Sequence, residues 1–206
     1  MYKAFGKRLI DLVVSLMGLP LFIILFIILA PIIWLTDRGP VFYNAERLGK
    51  NGKVYRMYKF RSMRVNAPDI RNLDGSTYNA ENDPRVTKIG KIMRKTSLDE
   101  IPQLLNVLKG DMSIIGPRPF VTTHYEGYDK LDDKGKKRLE VRPGITGYSQ
   151  AYYRNSIGQE DKINCDIYYV ENISFRLDVK IFIQTIKSVL KMENIYVTKE
   201  ITSEKK

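Results

Sequence analysis

Apolar residues are concentrated near the start of the chain. Residues 12–36 contain no charged side chain, and most of them are Leu, Ile, Val or Phe. The stretch is about 25 residues long, and roughly 20 suffice for an α-helix to cross a bilayer. Beyond it, charged and apolar residues mix as they do in globular domains. The pattern therefore predicts a membrane anchor over residues 1–36 and a separate domain over residues 37–206.

The anchor is unlike a cleaved signal peptide, because its apolar run is too long and no small-residue cleavage site follows it. A buried core helix is disfavoured, since such a helix usually keeps a polar stripe. Pro20 lies near the middle of the run, where proline kinks or breaks a helix. Basic residues flank the run on both sides and favour the cytoplasm. We predict a re-entrant helix broken near Pro20, with a straight, kinked span as the alternative.

The pattern after the anchor predicts a small sheet and then a loop. Residues 41–63 indicate two strands, and Asn51-Gly52 is typical of a type I′ hairpin turn. Residues 65–84 are rich in Asn, Gly and Pro and indicate a long loop. The polar residues 200–206 are expected to fray.

Apolar residues at helical spacing predict helices over 86–94, over 101–108 with Gly110 as the C-cap, and over 175–190. The last helix has a basic opposite face. It is expected either to lie on a bilayer surface or to pack its apolar face on the core. The elements together predict a helix-rich α/β, membrane-associated protein with a small β-hairpin and amphipathic interfacial helices.

Charge and rare residues narrow the possible functions. The formal net charge of +11 indicates an anionic partner, such as nucleic acid, acidic lipid or a phosphorylated substrate. Cys165 and His124 are the single cysteine and histidine of the chain. An internal disulfide is therefore excluded, and a Cys/His zinc site is disfavoured because it needs three or four such ligands.

Asp99 and Glu100 are the most informative acidic residues. Ser97 and Glu100 have the spacing of a capping box, and Pro102 suits a first helical turn. Acidic residues in the first turn of a helix often do no more than stabilise it through their favourable interaction with the helix dipole. In the functional alternative, one carboxylate binds Mg²⁺ while the other attacks phosphorus.

Phosphate chemistry at this pair would also need cations. Arg118 lies between Pro117 and Pro119, a rigid setting for a guanidinium that binds phosphate. Arg94 and Lys95 are close in sequence, and Lys59 and Arg61 are expected to be close in space.

Five segments occur in a characteristic order: Tyr-Lys-Phe-Arg-Ser-Met at 58–63, Ser-Leu-Asp-Glu-Ile-Pro-Gln-Leu at 97–104, Asn-Val-Leu-Lys-Gly-Asp-Met-Ser at 106–113, Gly-Pro-Arg-Pro at 116–119 and Val-Arg-Pro-Gly-Ile-Thr-Gly at 141–147. In this combination the chain resembles the bacterial sugar transferase family, the monotopic phosphoglycosyl transferases. It is most similar to small members that are little more than a catalytic core.

The resemblance implies transfer of a sugar-1-phosphate from a UDP-sugar to polyprenyl (undecaprenyl) phosphate, the first membrane step of glycoconjugate synthesis. It implies a ping-pong mechanism in which Asp99 forms a covalent phosphosugar intermediate and Glu100 binds Mg²⁺. It also implies a bacterial inner-membrane location, a catalytic domain facing the cytoplasm, and later glycosyltransferases of the same pathway as partners. The implied phosphate-binding residues are Lys59, Arg94, Arg118, Arg142 and Arg154, and other substrate contacts are Gln150 and Asp166.

The chain departs from the family pattern at two places. Leu19 replaces a serine before the membrane-helix proline, and Tyr152 and Tyr153 replace slimmer residues, which leaves the identity of the sugar open. A membrane-tethered scaffold, a nucleic-acid binder and a Mg²⁺-dependent phosphatase are the competing functions. Nucleic acid is disfavoured because the basic residues are dispersed and no known binding motif is present.

Overall fold

The chain begins with a π-helical turn, Tyr2–Gly6, that continues into helix α1, Lys7–Asp37. The computed structural model describes residues 2–70, 78–122 and 126–192. Helix α1 continues through Pro20 and Pro31, so the predicted break near Pro20 is wrong. Each proline removes one backbone hydrogen bond, but contacts on both sides of Pro20 hold the two halves against the same domain. Among the described residues, α1 is the one helix whose length and composition suit a membrane span.

One face of α1 packs on the rest of the protein along its whole length. Near its start, the Arg8 guanidinium donates to the carbonyl oxygens of Val107 and Leu108, and the Asp11 carboxylate accepts from Ser113 Oγ. The contacts recur every three or four residues, as expected for one helical face. Farther along the same face lie Gly18 against Leu104, Phe22 stacked on Phe60, and Leu29 and Ile33 in a core cluster with Met93.

Strands β1, Phe42–Leu48, and β2, Val54–Phe60, form the predicted antiparallel hairpin. Their connection spans five residues and contains the 3₁₀ turn Lys50–Gly52, so the predicted two-residue turn is wrong. Asn51 and Gly52 do adopt the left-handed conformation that their sequence indicates, with φ of 57° and 76°. The longer loop is closed by a hydrogen bond from Gly49 N to Lys53 O. Strand β4, Phe120–Val121, pairs with the other edge of β1.

The predicted central helices are present with shifted bounds. Helix α2 spans Lys88–Thr96, where the Thr87 hydroxyl accepts from Gly90 N, and α3 spans Gln103–Lys109. Gly110 ends α3 at φ 91°, which confirms the predicted C-cap. The remaining helices are α4 (Asp133–Arg138), α5 (Tyr148–Tyr152), α6 (Gln159–Glu171) and α7 (Phe175–Lys191).

A short parallel pair joins the two proline- and glycine-containing segments that carry part of the family resemblance. Strands β3, Ser113–Ile115, and β5, Gly144–Thr146, run side by side. A Cβ at Gly144 would lie 2.1 Å from Gly116 N, so only glycine permits this approach. The pair fixes the start of the loop that carries Arg118.

Helix α7 turns most of its apolar residues outward. Ile181 and Asp178 are buried, whereas the predicted apolar face is 38–74% exposed. The alternative that this face packs into the core is therefore wrong for these residues: Phe175, Val179, Phe182, Ile183, Ile186 and Leu190.

The long loop predicted at 65–84 contains no helix or strand where it is described, and residues 71–77 lie outside the described ranges. Its end is organised by Arg85, whose guanidinium binds Asp83 and the carbonyl oxygens of Pro68 and Tyr78. His124 and residues 200–206 also lie outside the described ranges.

Candidate active site

Asp99 and Glu100 lie in a 3₁₀ turn, Leu98–Glu100, between α2 and α3. Ser97 takes the left-handed conformation, with φ 59°, and ends α2. Because of this conformation, the Ser97 side chain does not cap the following turn, and the predicted capping box is not formed. The reversal at Ser97 places the two acids where α2, α3 and the hairpin meet.

Glu100 is held on both carboxylate oxygens. Lys59 Nζ lies 2.7 Å from Oε1, and Gln103 Nε2 donates to Oε2 at 3.1 Å. Burial alone would raise the pKa of Glu100, but the charge and hydrogen bond of Lys59, the nearby Arg118 and Gln103 outweigh it. The pKa of Glu100 therefore lies below its ordinary value, and the residue is a carboxylate at neutral pH.

Asp99 has the opposite balance. Its side chain is buried, and burial raises its pKa to about 6, with a further rise from the charge of Glu100. Lys59 and Arg94 oppose this rise. The adjacent acids therefore differ in basicity. Such a difference is common where carboxylates divide catalytic roles.

Lys59 owes its position to a side chain in α3. Asn106 is fully buried, accepts from Tyr58 N at 2.8 Å and donates to Arg56 O at 2.7 Å. These bonds tie the free edge of β2 to α3. They set the register that brings Lys59 to Glu100.

Two of the predicted phosphate-binding arginines surround the acids. Arg94 Nε donates to Ser62 Oγ at 2.9 Å, and its charge lowers the pKa of Asp99. The Arg118 side chain is exposed, and its charge lowers the pKa of Glu100. Both guanidinium groups therefore lie near enough to the acids for their charges to lower the acids' pKa values.

Arg154 reaches the same region from a different direction. It adopts φ 50°, and its guanidinium donates to Ser97 Oγ at 3.1 Å and to the Ser188 carbonyl in α7 at 3.3 Å. Burial lowers the pKa of Arg154, and the charge of Glu100 opposes this shift. Arg154 thus connects the outward-facing helix α7 to the turn that carries the acids.

Asp166 is linked through Arg138 to the loop that carries Arg118. Its buried carboxylate accepts from Arg138 at 2.8 and 3.0 Å, and Arg138 also donates to the Arg118 backbone carbonyl at 3.2 Å. Burial raises the pKa of Asp166, against the opposing charges of Arg138 and Arg118. Through these contacts Asp166 positions the Arg118 loop.

Two other arginines bind helix ends away from the acids. Arg142 donates to the Gly110 carbonyl at the opposite end of α3, and Arg61 binds Asp37 and the Ile33 carbonyl at the end of α1. Gln150 accepts from Ser149 Oγ in α5. These contacts give Arg142 and Arg61 the role of capping helix carbonyls, which sequence spacing did not reveal.

Comparison with known proteins now identifies the family. The model of the bacterial sugar transferase family matches residues 2–192. The chain belongs to the bacterial sugar transferase family. Several of its relatives are named as sugar-phosphate transferases.

Individual relatives differ in length. The galactosyl transferase CpsE of Streptococcus agalactiae serotype III is 44% identical over 193 residues, which are 90% of this chain and 42% of CpsE. The uncharacterized sugar transferase EpsL of Bacillus subtilis is 40% identical over 97% of this chain and 94% of EpsL. The undecaprenyl-phosphate galactose phosphotransferase of Salmonella typhimurium is 38% identical over 93% of this chain and 42% of that protein. The chain thus spans under half of two of these relatives.

Several residues that organise the site of this bacterial sugar transferase were not predicted from its sequence. Gln103 donates to the predicted Glu100, and Arg138 donates to the predicted Asp166 and to the Arg118 carbonyl. Asn106 binds the β2 backbone at Tyr58 and Arg56, next to the predicted Lys59. Gln103 follows Glu100 at i+3, and this spacing places side chains on one helical face. The Gln103–Glu100 contact could therefore have been predicted from the sequence. The partners of Arg138 lie 20 and 28 residues away in sequence, so no local pattern indicated them.

The Arg138–Asp166 pair generates a stability prediction. Asp166→Asn leaves the Arg138 guanidinium buried without its carboxylate, and arginine cannot discharge itself. We expect a loss of about 3 kcal/mol in the free energy of unfolding, measured by thermal or denaturant unfolding in detergent.

Lys130→Met is the matched control, because it removes the exposed Lys130–Glu126 pair. It should cost less than about 1 kcal/mol. Equal losses in the two variants would contradict a structural role for the buried pair.

Proposed function

We propose that this enzyme transfers a sugar-1-phosphate from a UDP-sugar to polyprenyl phosphate, releasing UMP. The observation that carries the proposal is the buried Asp99 beside the Lys59-bound Glu100, with arginines close by. Relatives support the reaction class: one from Aeromonas hydrophila, 40% identical over 91% of this chain, is named UDP-N-acetylgalactosamine-undecaprenyl-phosphate N-acetylgalactosaminephosphotransferase.

The proposed reaction has two displacements at phosphorus. An Asp99 carboxylate oxygen bonds to the β-phosphorus of the donor, and the bond from that phosphorus to the oxygen bridging to the α-phosphate breaks. UMP leaves with the bridging oxygen. A phosphate oxygen of the lipid then attacks the same phosphorus and displaces the Asp99 carboxylate, so the aspartate is regenerated.

The donor set at the acids suits Mg²⁺. Magnesium prefers hard oxygen ligands and commonly uses one or two carboxylates together with substrate phosphates. Glu100 would hold the ion, because a carboxylate keeps acceptor capacity beyond its bonds to Lys59 and Gln103. Bound there, Mg²⁺ would neutralise charge on the diphosphate. The described residues contain no cluster of three or more His, Cys, Asp or Glu, so substrate oxygens would complete the shell.

Lys59, Arg94 and Arg118 would bind the diphosphate and stabilise the charge that develops at phosphorus. Arg154 would bind a phosphate from the side of α7. Asp166 acts indirectly, through the position of the Arg118 loop.

The membrane arrangement follows from α1 and α7. Contacts from Arg8 to Asp37 pack α1 on the charged domain along its whole length. A perpendicular span would carry that domain into the hydrocarbon, at high cost. We infer that both ends of α1 lie on the cytoplasmic side of the inner membrane, with its free face in lipid. The exposed face of α7 would rest at the same surface, where the lipid phosphate is found.

Asp99→Asn should abolish lipid-dependent UMP release, since an amide is a poor nucleophile. Turnover should fall at least 1,000-fold, within the range seen when nucleophiles are removed. The assay is UMP release from a panel of UDP-sugars with Mg²⁺ and polyprenyl phosphate in detergent.

Asp129→Asn, at an exposed aspartate in the turn Tyr128–Lys130, is the control and should retain full activity. Equal UMP release by wild type and Asp99→Asn would remove Asp99 as the nucleophile. Rapid UMP and free sugar phosphate without lipid would indicate a hydrolase.

The pH profile follows from the raised pKa of Asp99. Only the carboxylate attacks, so kcat/KM for UMP release should rise with pH through a midpoint of about 6. Lys59 favours the carboxylate, so Lys59→Gln should shift this midpoint to higher pH.

Lys130→Gln, at a distant exposed lysine, should leave the midpoint unchanged. A Lys59→Gln midpoint that moves to lower pH would be incompatible with the assignment of this limb to Asp99.

The topology can be tested with single cysteines. In a Cys165→Ser background, Lys3→Cys and Lys53→Cys flank α1 at exposed positions. An impermeant maleimide should label both in inverted vesicles and neither in intact cells. Labelling of Lys3→Cys from outside the cell would establish a transmembrane span instead.

A further inference from the structure

A cleft of about 370 Å³ lies between α5 and the face of α6 that turns away from the core. On α6 its residues recur at i, i+3 and i+7, so they share one helical face. Asp166, beside this face, points into the core instead. The cleft is lined by Tyr148, Tyr153, Ile157, Asp161, Asn164 and Tyr168.

Aromatic rings form most of the cleft wall. The rings of Tyr148 and Tyr168 meet edge to face with centroids 5.1 Å apart, and Tyr153 and Tyr168 are 37% and 47% exposed. An aromatic face carries partial negative charge and attracts the polarised C–H groups of a flat ligand. Ligand sites commonly combine such walls with a few placed polar groups.

The polar groups of the cleft have defined hydrogen-bonding roles. Lys134 Nζ donates to Asn164 Oδ1 at 3.2 Å. Because lysine can only donate, this bond fixes the amide and leaves its NH₂ as a donor on the other side. The Asp161 carboxylate is an acceptor. The cleft therefore offers one oriented donor and one charged acceptor beside the aromatic wall.

The cleft is connected to the acid pair through the chain itself. Tyr153 immediately precedes Arg154, whose guanidinium contacts Ser97 Oγ, two residues from Asp99. Arg154 thus links the cleft to the acids, and a donor whose phosphates lie at the acids could extend one of its ends along this side. Phosphate itself is disfavoured there, because Asp161 would repel it, and Glu160 compensates the charge of the neighbouring Lys134.

Two ends of the donor remain, the sugar and the uracil. A sugar ring presents several hydroxyl donors to Asp161 and an apolar ring face to tyrosine. Uracil presents one donor, N3–H, flanked by two carbonyl oxygens that a carboxylate repels, so it satisfies Asp161 less fully than adjacent sugar hydroxyls do. We propose that the cleft binds the sugar ring of the nucleotide-sugar donor and selects among sugars, an inference that rests on the proposed function.

The test compares the affinity of the full-length protein in detergent for UDP and for UDP-glucose, UDP-galactose and their N-acetylated counterparts. The wild type should bind its preferred UDP-sugar more tightly than UDP. Asp161→Asn and Tyr153→Ala should each weaken the binding of that UDP-sugar roughly tenfold, which is about the effect of losing one hydrogen bond or stacking contact. Both variants should leave the affinity for UDP unchanged. Tyr43→Ala, at an exposed tyrosine in β1, is the control and should change neither.

Equal weakening of UDP and UDP-sugar would place uridine in the cleft and overturn the proposal. Unchanged affinities in both variants would also overturn the proposal. So would a loss confined to the binding of anionic vesicles, because the tyrosines would then contact lipid. Lipid-dependent UMP release is measured in parallel. If the enzyme turns over but the variants keep wild-type affinity for the UDP-sugar, only the proposal for the cleft is contradicted. If the variants lose sugar-specific binding but the wild type shows no turnover, only the transferase reaction is contradicted.

Discussion

The ion pair between Lys59 and Glu100 is the interaction on which the candidate site depends. Two adjacent carboxylates repel each other, and burial makes that repulsion stronger. Lys59 offsets the charge of Glu100 and also favours the charged form of Asp99. Because Lys59 lies on β2, the pair requires the hairpin register and the Asn106 bonds that fasten β2 to α3. The fold therefore places the ammonium group of Lys59, on β2, beside the two acids in the turn between α2 and α3.

The second constraint is geometric, since in the proposed reaction a soluble donor and a lipid acceptor must reach the same carboxylate. The free faces of α1 and α7 are apolar, and Arg154 joins α7 to the turn that carries Asp99. In the proposed membrane arrangement, an enzyme built in this way would hold Asp99 at a fixed depth relative to the lipid surface. A covalent intermediate would let one small site handle the two substrates in succession.

Much of this arrangement could be predicted from local sequence. The apolar run predicted α1, the strand pattern of residues 41–63 with Asn51-Gly52 predicted the hairpin, and the motif around Asp99 and Glu100 indicated the acids. Contacts between residues distant in sequence could not be predicted. Arg142 and Arg61 donate to carbonyl oxygens at the ends of α3 and α1, and nothing in the local sequence indicates these contacts. Pro20 predicted a break because proline weakens a helix, whereas packing of α1 on the domain keeps the helix continuous.

The most direct test of the central claim is intact-protein mass spectrometry after mixing the enzyme with its UDP-sugar and Mg²⁺ in the absence of lipid. The account predicts a mass increase of one phosphosugar, located on Asp99, absent in Asp99→Asn and removed when polyprenyl phosphate is added. Unmodified protein under conditions where lipid-dependent UMP release proceeds at full rate would contradict the covalent role of Asp99.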